Sequence, residues 1–479
     1  MATISSAGVG SGLDVNSIIT QLMAIEQKPL TTLQTKATTI QSTVSEYGKI
    51  KSAVSTLRDL ASKLASATTW GQTTSTSTST AVAASSNGSA AGSYSVEVQK
   101  LASVQTLATG VKPTTTALGG GTLRIELGTW GTGPTSFTPK TGATAIDVTV
   151  AATDTLADVR DKINAAGAGV TALVMTDSSG SRLLIRSNAT GAENAFRTVV
   201  TDDDGGNADA TGLSALAFDP SAGVAMMTQS QIAADAAATV NGLPVTSTSN
   251  TLASIVDGLT LTLNAETTLT GPVTVNVVTD TETLKKTLTD FAAAYTAVIK
   301  LIGTDTKYDP VTKKGGILQG DSAAVGMQRQ LRMLAGSASA ASAMFGHLSD
   351  AGLELQADGS MTVNATKLGA ALANVPEMKK MFSNSSLTDP TLDGFGKRFR
   401  MIADSMIGVD GALTTRTDGL GQQLQRNQKD QDALELRLEA IEKRYRAQYT
   451  ALDTAMAQLQ SQSSYITQQI AAWNANSGG

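Results

Sequence analysis

The sequence predicts an α+β multidomain protein. Paired long terminal helices and a helix-rich body carry two mostly β head domains, one inserted in the other. Three observations predict this. Apolar residues recur at alternating three- and four-residue steps from about Leu13 to Leu64, and again from Leu420 to Trp473, the seam of helices that lie against other helices. The stretch between is rich in Ser, Thr, Gly and Val and alternates with period two, as strands do. The helical period then returns at Thr281, so the β part interrupts a helical chain. Adhesive helices at both ends of a β head suit an assembly subunit better than a catalyst.

Taken in order, Asp14 or Asn16 can cap a first helix that carries Val15, Ile18, Ile19, Leu22 and Ile25 on one face. Pro29 kinks this helix or opens a new one at its first turn. The pattern resumes through Leu33, Ile40, Val44, Tyr47, Val54, Leu57 and Leu64. Thr73 to Ser86 holds almost only Thr, Ser, Ala and Val, which reads as extended chain. Residues 94–98, 123–127 and 146–150 alternate as strands, and Thr155 caps a short helix with Leu156, Val159 and Ile163. Asp177 to Gly180 and Asn241-Gly242 are hairpin signals, and residues 259–263 and 273–278 alternate again. Leu284, Leu288, Phe291, Tyr295 and Val298 then share a helix face. Asp321 or Ser322 caps another helix, and Asp358-Gly359 marks a further hairpin.

After Gly411 the terminal seam runs through Leu420, Leu424, Asn427, Gln431, Leu434, Leu438, Ile441, Tyr445, Tyr449, Leu452, Met456, Leu459, Ser463, Ile466, Ile470 and Trp473. The consecutive four-residue steps from Ile441 to Tyr449 locally unwind a left-handed supercoil. The polar seam residues Asn427, Gln431 and Ser463 weaken helix pairing and set its register. These spacings predict four regions: residues 1–44 with 430–479, 45–71 with 281–429, 72–112 with 229–280, and an inserted block at 113–228.

Composition excludes several classes of function. Net charge is −5, which leaves no basic footprint for nucleic acid. Cysteine is absent, which removes disulfides, thiolate metal sites and cysteine nucleophiles together. No apolar run approaches the ~18 residues of a membrane span, and the first residues lack the pattern of a secretory signal. His347 is the sole histidine and has no evident acid or nucleophile partner. Asp202 to Asn207 resembles a calcium loop but lacks its closing Glu and reads as an exposed acidic turn. Gly8 to Gly12 and Lys313 to Gly316 lack the order of a phosphate loop. No catalytic residue, metal or cofactor is expected.

With both ends read, the chain resembles the flagellar filament cap proteins, the hook-associated protein 2 family. The residues that carry the likeness are Gly8-Val9-Gly10-Ser11-Gly12-Leu13-Asp14-Val15-Asn16 with Ile25-Glu26-Gln27-Lys28-Pro29-Leu30. Others are Val240-Asn241-Gly242, Asp257-Gly258-Leu259, Leu318-Gln319-Gly320-Asp321 and Gln448-Tyr449-Thr450-Ala451-Leu452-Asp453. Tyr449 stands where the family often has Phe, and residues 113–228 match only loosely. The resemblance implies a homo-oligomeric ring at the distal tip of the filament. Beneath it exported flagellin folds and inserts, so that it does not leak away. It implies flagellin and the hook–filament junction protein as partners, a cytosolic export chaperone on the C-terminal helix, and export by the flagellar type III system. It also implies that Leu13, Val15, Ile18, Leu22 and Ile25 pack with Leu434, Leu438, Ile441, Tyr445, Tyr449, Leu452, Met456, Leu459, Ile466 and Ile470 and dock into the filament. Two other readings stand beside it: another axial flagellar protein, and a surface adhesin whose β head binds mucin or host glycans.

Overall fold

The computed structural model describes residues 14–311 and 313–476. Ten α-helices occur among them. They are α1 (Val15–Glu26), α2 (Lys28–Ala65), α3 (Ala67–Trp70), α4 (Leu156–Ala166), α5 (Thr281–Thr306), α6 (Ser322–Ala335), α7 (Ala365–Leu372), α8 (Val375–Ser383), α9 (Phe395–Ile407) and α10 (Ala412–Asn476). The chain divides into two compact units, one made of its two ends and the other of residues 71–281.

The unit built from the ends is helical. Its core takes Tyr47, Val54, Leu57 and Leu64 from α2, and Leu284, Leu288, Phe291, Tyr295 and Val298 from α5, the faces their spacing predicts, together with Ile50, which that spacing had not included. Helices α7 and α8, which the sequence reading did not single out, add Leu368, Met378 and Phe382, and α9 adds Phe395, Phe399 and Met406. Phe291 meets Phe399 edge to face at 5.1 Å, and Trp70 stacks on Phe382 at 5.5 Å while its indole N–H donates to the Leu64 carbonyl at 2.8 Å. The long helix α2 crosses α9 at Gly396. A Cβ there would lie 2.7 Å from the Ala65 nitrogen and 2.8 Å from the Phe382 carbonyl oxygen, so only glycine permits this approach.

Helix starts follow side-chain chemistry. Asp14 accepts from the Ser17 N–H at 3.0 Å and caps α1. Asp321 accepts from the Ala323 and Ala324 N–H groups and caps α6. Thr155 and Asp158 form a reciprocal capping box on α4. Helices α1 and α2 are separated by Gln27 alone, and Pro29 sits in the first turn of α2, where its missing N–H costs nothing.

The other unit holds two β cores. In one, an antiparallel sheet runs in the order Thr73–Ser77, Val273–Thr279, Gly92–Lys100, Ala236–Val240, Leu243–Ser247. A three-stranded sheet of Thr251–Val256, Leu259–Leu263 and Val82–Ser86 completes that core, with Val82, Val96, Val98, Leu261 and Val275 inside. Asn241 and Gly242 both have positive φ, 50° and 81°, as the tight turn joining two of these strands requires. In the other core, α4 packs on strands Ile146–Val150, Val170–Asp177 and Gly180–Ser187, and strands Gly121–Trp130 and Ala195–Asp202 contribute Leu123, Ile125, Phe196 and Val200 to the same core. The short strands Thr106–Ala108 and Thr228–Gln231 pair with each other, and the first also pairs with Gly180–Ser187. Leu107 therefore lies in the second core, upstream of residue 113, where the sequence reading begins the insertion. Gln105, fully buried, is satisfied on all sides. Its amide donates to the Phe196 carbonyl at 2.9 Å and accepts from the Phe196 N–H at 3.0 Å and the Trp130 indole at 3.2 Å.

Candidate assembly surface

The candidate site is the long helix α10 and what it meets along its length. At its root, Arg416 donates from Nε and Nη2 to Asp321 Oδ2, at 3.0 and 2.8 Å, while Asp321 Oδ1 caps α6. Tyr47 of α2 is fully buried and interacts electrostatically with Asp321, its hydroxyl falling outside hydrogen-bond geometry. Burial, reinforced by the Asp321 charge, keeps the Tyr47 phenol protonated far above its ordinary range. For Asp321, burial works against the charge, but Tyr47 and Arg416 more than offset it and hold the carboxyl below the usual carboxylate range. Three helices, α2, α6 and α10, are thus tied at one charged point.

Further along, Asn427 and Gln431 are buried, and Gln431 Nε2 donates to Asn427 Oδ1 at 2.5 Å. These two polar seam residues satisfy each other in part, which lowers the cost of placing amides in a helix interface. Ser463, the third, is exposed.

Beyond them α10 lies against α1. Val15, Ile19 and Met23 form a small core with Leu438 and Ile441, flanked by Leu30, Leu434, Tyr445 and Tyr449. The Tyr445 hydroxyl donates to Glu26 at 3.4 Å. The face of α1 differs from the expected one: Ile18 and Leu22 are only half-buried and Ile25 is 62% exposed. Helix α1 carries one broad apolar arc, with Asn16, Ser17, Thr20 and Gln21 on the opposite side, and the packing with α10 buries the half of that arc through Val15, Ile19 and Met23. Leu13 lies outside the described residues.

The core between α1 and α10 ends at Tyr449. The apolar seam does not. Leu452, Met456, Leu459, Ile466 and Ile470 continue it at exposures of 45, 40, 60, 56 and 53%, so their expected packing is not made within the described residues. From Thr454 to Asn476 the helix has no charged residue, leaving an apolar stripe flanked by Gln, Ser and Thr. A stripe of this kind, continuous with an existing helix interface, is a surface prepared for another helix.

The remaining candidates resolve into ordinary structure. His347 is 57% exposed in a surface turn, with Nδ1 3.8 Å from the Asp350 carboxylate. Asp202 is buried and accepts from the Ser214 N–H at 2.8 Å and Oγ at 2.9 Å, while Asp204 accepts from the Gly206 N–H at 2.8 Å. These carboxylates brace their own loop. No cluster of three or more His, Cys, Asp or Glu residues suited to a metal occurs among the described residues.

Comparison with known proteins agrees with this geometry. The model of the flagellar hook-associated protein 2 N-terminus matches residues 11–105, and that of its C-terminus matches residues 233–461. A flagellar hook-associated protein 2 of Escherichia coli (strain K12) is 33% identical over 492 residues, covering 98% of this chain and 98% of that protein. The chain belongs to the flagellar hook-associated protein 2 family. A B-type hook-associated protein 2 of Pseudomonas aeruginosa is 28% identical over 99% of this chain and 98% of its own length. Between the two terminal matches, residues 136–189 match the flagellin hook IN motif. The crystal structure of the D1-D2-D3 domains of the flagellar cap protein FliD from Escherichia coli aligns with a TM-score of 0.62 at 29% identity. That alignment covers 78% of this chain and 99% of the crystallised one. The hook-associated protein 2 fold is thus shared by the helical unit and the β unit alike. No helix among the described residues is long and apolar enough to cross a membrane.

Proposed function

We propose that this chain is the structural cap at the distal tip of a bacterial flagellar filament. In this reading several copies form a ring under which exported flagellin folds and inserts. Residues 1–44 and 430–479 form a leg that docks into the filament end. Residues 45–71 and 281–429 form a body, residues 72–112 and 229–280 a β head domain, and residues 113–228 the outer domain inserted in it.

The observation that carries the proposal is the apolar seam of α10, which outlasts its partner within the chain. It packs on α1 as far as Tyr449 and then runs on exposed through Ile470. A monomer gains nothing from such a stripe and risks aggregation through it. A subunit that seats among the helices of an assembly gains a docking surface. The same stripe accounts for an export chaperone as partner before assembly, and for flagellin and the hook–filament junction protein as partners afterwards.

Deleting the gene in its own host tests this directly. Loss of filaments with monomeric flagellin in the medium is the expected result. Normal filaments without leaked flagellin would refute it.

A further inference from the structure

Two exposed turns of the β unit carry the same dipeptide in different settings. Asn-Gly occurs twice in the chain, at Asn87-Gly88 and at Asn241-Gly242. It is the dipeptide most open to attack on itself. Glycine has no side chain to hinder its own nitrogen from reaching the asparagine carboxamide, and it gives the backbone the freedom that the attack needs. Which of the two sites reacts is then decided by what holds each asparagine.

Asn241 is held by its side chain as well as its main chain. Its Oδ1 accepts from the Ser95 N–H at 2.9 Å, and its own N–H donates to the Ser95 carbonyl at 2.8 Å. To reach the Gly242 nitrogen, the carboxamide must first give up its bond to Ser95, which costs free energy before any chemistry begins.

Asn87 is held by its main chain alone. It follows the strand Val82–Ser86, and its N–H donates to the Gly258 carbonyl at 2.7 Å. A Cβ on Gly258 would lie 2.5 Å from the Asn87 carbonyl oxygen and 2.8 Å from the Ser89 nitrogen, so the turn closes directly over that glycine. The Asn87 carboxamide, by contrast, belongs to an exposed residue and has no hydrogen-bond partner among the described residues. The Gly88 N–H bonds to no group among them either, and Gly88 has a φ of 70°. Electrophile and nucleophile are therefore adjacent and both unengaged.

We propose that Asn87 is a site of spontaneous covalent modification and that the Ser95 clamp protects Asn241 from the same reaction. The Gly88 nitrogen gives its proton to solvent hydroxide and bonds to Asn87 Cγ. The Cγ–Nδ2 bond breaks, ammonia leaves, and a succinimide ring results. Water then opens the ring at either carbonyl, to aspartate or isoaspartate, with no oxidation or reduction. The product carries a new carboxylate. As isoaspartate it also adds one main-chain methylene beside the Gly258 contact, so charge and backbone both change at this end of the sheet.

The test incubates the full chain in mildly alkaline buffer and follows both sites by peptide mapping with tandem mass spectrometry. In the folded chain Asn87 is expected to convert at least about fivefold faster than Asn241, the order of effect that one retained hydrogen bond sets. In urea the two sites should convert at similar rates, because only the shared dipeptide then matters. Asn87→Gln should remove the fast conversion and leave the slow one at Asn241 unchanged. Equal conversion at both sites of the folded chain, or faster conversion at Asn241, would overturn the inference. So would an Asn87 that stays intact in the folded chain while the chain in urea reacts. A difference that persists undiminished in urea would overturn it as well, since the Ser95 clamp is absent there.

Discussion

Two stretches of one helix, α10, carry the same apolar period into opposite surroundings. From Leu413 to Ile441 the seam is buried, first against the helical body and then against α1, and Arg416 ties its root to Asp321. From Leu452 to Ile470 the same period faces water. What differs is the partner: the proximal stretch has one in its own chain, and the distal stretch has none within the described residues. The lesson is that a continuous hydrophobic period measures how much helix is meant to be covered, without saying by whom.

Breaking the proximal stretch should cost the most stability. Leu438→Asp places a charge in the small core with Val15, Ile19 and Met23. It is expected to cost about 3 kcal/mol or more of local stability, read as lost amide-exchange protection over residues 15–26. Next in size, Asp321→Ala removes both the cap of α6 and the partner of Arg416. Because Arg416 is partly exposed, a loss of about 2 kcal/mol is expected in denaturant melts, less than for a fully buried pair. Smaller still, Asn427→Ala strands the buried Gln431 amide and should cost about 1 kcal/mol.

The charged tie also has a pH signature. The Asp321 carboxyl is held below the ordinary range, so its contribution is complete above the unfolded Asp value of about 3.9 and is lost as pH falls through the lower folded value. The stability gap between the native chain and Asp321→Asn should therefore be constant near neutrality and close below about pH 4. A gap that widened on acidification would contradict the assignment.

Much of this was legible in the residues. Asp14, Thr155 and Asp321 announce their helices because an N-cap is a local side-chain-to-backbone bond that needs no tertiary context. Asn241-Gly242 announces its turn because both residues take positive φ there. Helix α9 was not legible in the same way: its N-cap is Gly394, which has no side chain to mark the start. The strand Thr106–Ala108 is too short for an alternating pattern, although it opens the second β core. The expected face of α1 includes the buried Val15 and Ile19 but omits Met23 and extends to Ile18, Leu22 and Ile25, because these are equally apolar and only the neighbouring helix decides which part of the arc is covered.

The smallest expected change in stability carries the largest expected change in function. Leu459→Asp together with Ile466→Asp alters only exposed side chains, so the purified variant should melt within about 0.5 kcal/mol of the native chain. The decisive measurement is to place that double variant in the host and quantify filament length beside monomeric flagellin in the medium. Lost filaments and leaked flagellin, from a protein that folds normally, are the predicted result. Full-length filaments with no leakage would show that the exposed stripe is not the docking surface.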